Sequence, residues 1–211
     1  MYHRNHTTSI RRRLTRGAAL GAVLTGLLAT SVSAATIDVE ATEAKTFSPS
    51  GVATTAGNSV HWFGTPGGTE EHSVRQNAGI FDSGNPQTGL NFSRNFSAGT
   101  FPYHCEKHVG QGMVGRITVK PQVLTAPTGL PFTVKWASTA SNTGNTFDVQ
   151  YRIGSGTWRN WFSDTSARSA VFGNRSRPVR LARGKTYSFR VWSQAGAARS
   201  DMSPVKSFTA R

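Results

Sequence analysis

The chain of 211 residues has one cysteine, Cys105, and can therefore form no internal disulfide. Nor can it build a zinc or iron–sulfur site that needs several thiolates. Acidic residues are scarce, 10 against 24 Lys and Arg, and the formal net charge is +14. An excess of that size points to nucleic acid or an acidic surface as partner, depending on where the charge sits. After residue 34 no apolar period of 3.6 residues persists over a useful length, so long amphipathic helices are not expected. No run there is long enough to span a bilayer. The apolar content, 36 % with 22 glycines besides, is nonetheless that of a globular protein, which excludes a disordered chain.

The one long apolar run lies at the N-terminus. Arg4, Arg11, Arg12, Arg13 and Arg16 precede the uncharged stretch from Gly17 to Thr30, and Val32-Ser33-Ala34 supplies small residues for cleavage. This is the anatomy of a signal peptide over residues 1–34, with the mature chain expected to begin at Ala35. The apolar run is too short for a membrane anchor. Arg11-Arg12-Arg13 also hints at twin-arginine export, and the lack of a cysteine after the run excludes a bacterial lipid anchor. The expected location is secreted or extracytoplasmic, in the periplasm or envelope of a bacterium. In such an oxidising compartment a lone thiol is reactive, buried or bound to metal.

From Ala35 onward, short runs rich in Val, Thr, Phe, Tyr and Trp are punctuated by Gly, Pro, Asn and Ser, as in Ser59-Val60-His61-Trp62-Phe63 and Tyr187-Ser188-Phe189-Arg190-Val191-Trp192. The alternation and spacing predict an all-β protein built of sandwiches. A boundary is expected near Pro121, where a strand-like run ends and a proline-containing stretch begins. Charge divides at the same place. Residues 35–121 hold 6 Lys and Arg against 7 Asp and Glu, whereas residues 122–211 hold 13 against 3. Two domains of ordinary size are predicted, 35–121 and 122–211.

The first carries the chemistry. Cys105, His108 and Met113 stand in a Cys-x2-His-x4-Met pattern, and His72 lies 33 residues upstream of Cys105. Two imidazoles, a thiolate and a thioether are the donors of a type 1 copper centre, with a trigonal His2Cys plane and a weak axial Met. Each residue alone has a plainer reading: buried thiol, surface imidazole, core filler. Zinc could occupy the same donors. His104 is adjacent to Cys105 in an extended strand, points to the opposite face, and is excluded as a co-ligand.

Phe47-Ser48-Pro49, Val60-His61-Trp62, Glu71-His72-Ser73-Val74, Phe81-Asp82-Ser83-Gly84, Gly99-Thr100-Phe101-Pro102-Tyr103-His104-Cys105 and the run from His108 to Val119 together resemble the plastocyanin-like cupredoxins, small blue copper proteins. The resemblance implies a Greek-key β-sandwich with one copper held by His72, Cys105, His108 and Met113. It also implies that His108 lies nearest the surface, its ring edge the port for electrons. Many plastocyanins have Asn where this chain has Ser73, so the brace on the cysteine loop would have to come from a shorter side chain. The chain lacks the His-x-His pairs of multicopper oxidases, and His61 and His104 stand alone. No enzymatic chemistry is expected.

Residues from about 126 onward resemble a fibronectin type III domain. Trp136 sits in an early strand, Phe132-Thr133-Val134-Lys135-Trp136, where a core Trp is expected, and Leu181-Ala182-Arg183-Gly184-Lys185-Thr186-Tyr187 resembles a tyrosine corner. Arg175, Arg177, Arg180, Arg183 and Lys185 form a basic cluster, either an anion-binding face for a cell-wall polymer, phospholipid or acidic redox partner, or a solvated surface. Trp158 and Trp161 are candidates for stacking on sugar, with core packing the commoner fate. Export disfavours nucleic acid. The sequence thus reads as an exported electron carrier that exchanges electrons with a redox partner protein through copper. Copper delivery without a redox partner, or adhesion through a structural cupredoxin fold, are the alternatives.

Overall fold

The structure, a computed structural model, describes residues 34–125, 131–141, 144–173 and 179–211. The signal-peptide reading, and Arg175 and Arg177 of the basic cluster, lie outside the described residues. Among the described residues the regular structure is all strand apart from one 3₁₀ turn, as the alternating pattern predicts.

The first half forms two four-stranded sheets. β1 (Thr36–Ala41), β2 (Phe47–Ser48), β4 (Ser59–Gly64) and β6 (Asn91–Asn95) take the order β2-β1-β4-β6. β3 (Gly51–Thr55), β5 (Arg75–Gln76), β7 (Gly99–His104) and β8 (Val114–Lys120) take the order β3-β8-β7-β5. β1 runs parallel to β4, and β3 to β8. A parallel pair cannot be closed by a hairpin, so the chain leaves one sheet and returns. Period-two alternation sends Val60 and Trp62 of β4, Phe101 and Tyr103 of β7, and Ile117 and Val119 of β8 into the core. Trp62 is fully buried, with the rings of Tyr103, Phe92, Phe81 and Phe96 centred 5.4–6.0 Å away. Removing such an indole costs about 3–5 kcal/mol.

The second half has β9 (Gln122–Thr125), β10 (Phe132–Lys135) and β13 (Ser169–Phe172) in one sheet, ordered β13-β10-β9. The other holds β11 (Thr146–Ile153), β12 (Arg159–Thr165), β14 (Thr186–Ala195), β15 (Ala198–Arg199) and β16 (Lys206–Thr209), ordered β12-β11-β14-β15 with β16 also on β14. Trp136, Trp161, Phe172, Tyr187 and Phe189 fill its core. The Tyr187 hydroxyl accepts a hydrogen bond from the Ala182 N–H at 2.9 Å. Trp161 is therefore a core residue, with its ring centroid 4.9 Å from that of Phe172. Trp158 instead faces guanidinium groups, with Arg190 at 4.1 Å and Arg152 at 4.7 Å from its centroid. Arg190 also lies 5.4 Å from Trp192, and Arg199 lies 4.7 Å from the same ring.

β8 and β9 are separated by Pro121 alone, so the proline-containing stretch opens with a strand and not with a free linker. The chain around the start of β7 meets the second half a second time. Ala98 N–H donates to Trp136 O at 2.7 Å, and Thr100 and Asp201 exchange backbone bonds of 3.0 and 2.9 Å. The buried hydroxyls of Ser97 and Ser193 are 2.7 Å apart, and Ser193 Oγ also donates to Ala98 O. Gly99 fits this seam because a Cβ there would lie 2.7 Å from both the Phe101 ring and Ser200 Oγ.

Candidate metal centre

β7 delivers the cysteine. Its buried positions, Phe101 and Tyr103, alternate with half-exposed ones, and Cys105 continues the buried series just beyond the strand end. His104 falls on the opposite side, where its Nδ1 meets Asn77 Oδ1 at 2.9 Å. That is the physical ground for excluding it. His61 is likewise engaged elsewhere, between Asp38 and Asn91.

After Cys105 the chain closes on itself. His108 N–H donates to Cys105 O at 3.2 Å, and Met113 N–H donates to His108 O at 3.2 Å. Cys105 N–H donates to Met113 O at 3.1 Å. Between them lies the 3₁₀ turn Val109–Gln111, ended by Gly112 in the left-handed region at φ +85°. A side chain at that φ would be strained, so glycine belongs there. The Cys-x2-His-x4-Met spacing is thus the spacing of a compact, internally hydrogen-bonded loop. His72 comes from a separate loop, pinned by a reciprocal backbone pair with Gln87 at 3.0 Å each way.

The two loops bring His72, Cys105 and His108 together. All three are buried, and one potential ligand atom from each lies within 4.8 Å of the others. Cys105 Sγ is 3.6 Å from His108 Nδ1. Met113 is fully buried at the end of the same loop. Both ring nitrogens of His72 are buried with no hydrogen-bond partner. Burying a polar atom without a partner is costly, and a metal bond removes that cost. Burial, reinforced by the neighbouring His108, holds His72 below the ordinary histidine range. The ring is therefore kept neutral, the form that binds metal. The donors present fit a soft or borderline ion such as copper.

Ser73 takes up the bracing role despite its short side chain. Its N–H points at Cys105 Sγ at 3.4 Å, and its Oγ accepts from Glu106 N–H at 3.1 Å. Ion pairs join the same two loops on the outside, Lys107 with Glu71 at 2.9 Å and Arg75 with Glu106. These exposed pairs add little stability. They do fix which segments face each other, because each flanks a clustered residue. Sequence reasoning passed over them. The only signal was the alternation of charges around His72 and between Cys105 and His108.

One expectation is corrected. His108 does not offer an open ring edge, being only 2 % exposed. Its Nε2 lies 3.3 Å from Glu70 Oε2, so a carboxylate from the His72 loop covers it.

Three solved structures are similar to this chain over about two fifths of its length. An oxidised plastocyanin from Dryopteris crassirhizoma is 20 % identical, over 39 % of this chain and 98 % of its own, with a TM-score of 0.34. A purple cupredoxin from Nitrosopumilus maritimus is 23 % identical over 39 % and 98 %, also at 0.34. A pseudoazurin from Methylobacterium extorquens is 20 % identical over 40 % and 74 %, at 0.32. No protein-family model and no curated protein matches the sequence.

Proposed function

We propose that the chain is an exported mononuclear type 1 copper protein that carries single electrons. The observation that carries this reading is the buried convergence of His72, Cys105 and His108 with both His72 nitrogens lacking a partner. In it His72, Cys105 and His108 are the strong ligands and Met113 the weak axial one. Bound copper would supply one-electron cycling between Cu(II) and Cu(I). The protein's part is to hold donors suited to both states, so that little rearranges on electron exchange. Ser73 steadies the thiolate, and the closed loop from Cys105 to Met113 keeps its three donors in register. Burial keeps water from the metal pocket, and no substrate chemistry belongs to this reading.

A redox partner protein would approach near the exposed Val109, which opens the 3₁₀ turn, and Val114, which follows Met113. In this reading residues 35–121 and 122–211 are two domains, the second fibronectin type III-like and serving as spacer or docking module. Its strand order and the Tyr187 hydrogen bond support that. Exposed Arg180, Arg183 and Lys185 support docking on an anionic cell-wall polymer or surface. No helix among the described residues is long and apolar enough to cross a membrane.

The test is direct. Mature protein titrated with Cu(II) should bind one equivalent and turn intensely blue through thiolate-to-copper charge transfer. Cys105→Ser should be colourless. A wild-type protein that binds copper without the visible band, or colour that survives Cys105→Ser, would overturn the assignment.

A further inference from the structure

We infer that Glu70 is a positioning residue of the metal centre: its carboxylate sets which nitrogen of His108 faces the pocket and, with copper bound, favours the oxidised ion. The inference rests on the copper reading above, and adds a residue outside the four ligands.

The geometry around His108 is two-sided. Nδ1 faces Cys105 Sγ at 3.6 Å, and Nε2 faces Glu70 Oε2 at 3.3 Å. A neutral imidazole has one N–H and one lone pair, and a carboxylate only accepts. The Glu70 carboxylate therefore draws the N–H to Nε2 and leaves the lone pair on Nδ1, toward the Cys105 sulfur. His72 shows the contrast, since neither of its nitrogens has such a partner. The two imidazoles are thus inequivalent before any metal arrives.

Glu70 is itself held. Its other oxygen, Oε1, lies 3.6 Å from Lys45 Nζ, and its backbone N–H donates to Glu43 Oε1 at 3.2 Å. It stands two residues before His72, so one loop brings both a ligand and the group that orients the other histidine. A surface pair with Lys45 alone would be of little consequence. The contact with His108 differs because the ring is buried, where water screens the charge poorly. A carboxylate behind a ligating imidazole raises its basicity, and negative charge near the pocket stabilises the more positive metal state.

The experiment has a copper-free arm and a loaded arm. In copper-free protein at pH 8, ¹⁵N NMR of the His108 ring should show Nε2 protonated, and Glu70→Ala should shift it toward the Nδ1–H form. Glu70→Gln keeps an acceptor and should keep the tautomer. In copper-loaded protein Glu70→Gln should raise the Cu(I)-to-Cu(II) affinity ratio about tenfold, an upward shift of about 59 mV in potential. A wild-type His108 protonated on Nδ1 overturns the inference, as does a Glu70→Gln potential equal to wild type. If Glu70→Ala does not fold, the wild-type spectrum and Glu70→Gln decide. Failure to bind copper at all would sink the functional reading, while the tautomer would still report on Glu70.

Discussion

Ser73 shows how much one small side chain settles. It is fully buried, and its two polar groups differ in role: the backbone N–H approaches the Cys105 sulfur at 3.4 Å, while the hydroxyl receives Glu106 N–H and turns its own O–H toward that sulfur from 4.0 Å. Ser73→Ala keeps the first and deletes the second, leaving Glu106 N–H without its acceptor. The expected cost is about 1–2 kcal/mol, read as a lower denaturant midpoint at unchanged slope. An unchanged midpoint would mean the hydroxyl does not hold the cysteine loop. The clustered His72, Cys105 and His108 were legible in the sequence because cysteine and histidine are rare here, and Cys105 and His108 stand only three positions apart. Glu70 was not. Nothing in its neighbourhood distinguishes it from a solvated acid, and its contact with His108 spans 38 positions of chain.

Among the elements, β7 carries the most consequence. Its alternation was readable because Phe101 and Tyr103 stand two apart, and the same parity separates Cys105 from His104. The seam at its start was not readable. Ser97, Thr100, Ser193 and Asp201 look like surface residues in sequence, and only their pairing across roughly a hundred positions buries the two serines and ties Thr100 to Asp201. β9 was hidden for a related reason, since the prolines at 121, 127 and 131 mark the stretch around it as a boundary. The seam makes Gly99 sensitive. Gly99→Ala places a methyl group against the Phe101 ring and Ser200 Oγ, and is expected to cost about 1–3 kcal/mol through forced repacking. Thermal melting checks this, and a variant as stable as wild type would refute the close approach.

For the whole molecule, strand content and the division of charge were evident from composition and pattern. How firmly the halves are joined was not. Buried hydroxyl pairing at Ser97 and Ser193, the Thr100–Asp201 backbone exchange and the one-residue join at Pro121 couple them. Residues 34–211 should therefore unfold in one transition, with tryptophan fluorescence and far-ultraviolet circular dichroism giving the same midpoint. Two separated steps would show that the seam does not transmit stability.

β7 also has a consequence for orientation. Its first residues touch the second half and the residue after its last is Cys105, so the seam and the cysteine sit at opposite ends of one strand. Six extended residues span roughly 17 Å. A molecule immobilised through its second half, on an electrode coated with anionic groups for example, would hold its Cys105 end away from the support. For the electron carrier proposed above, current would then have to reach the site through a diffusing shuttle in solution and not through the coating.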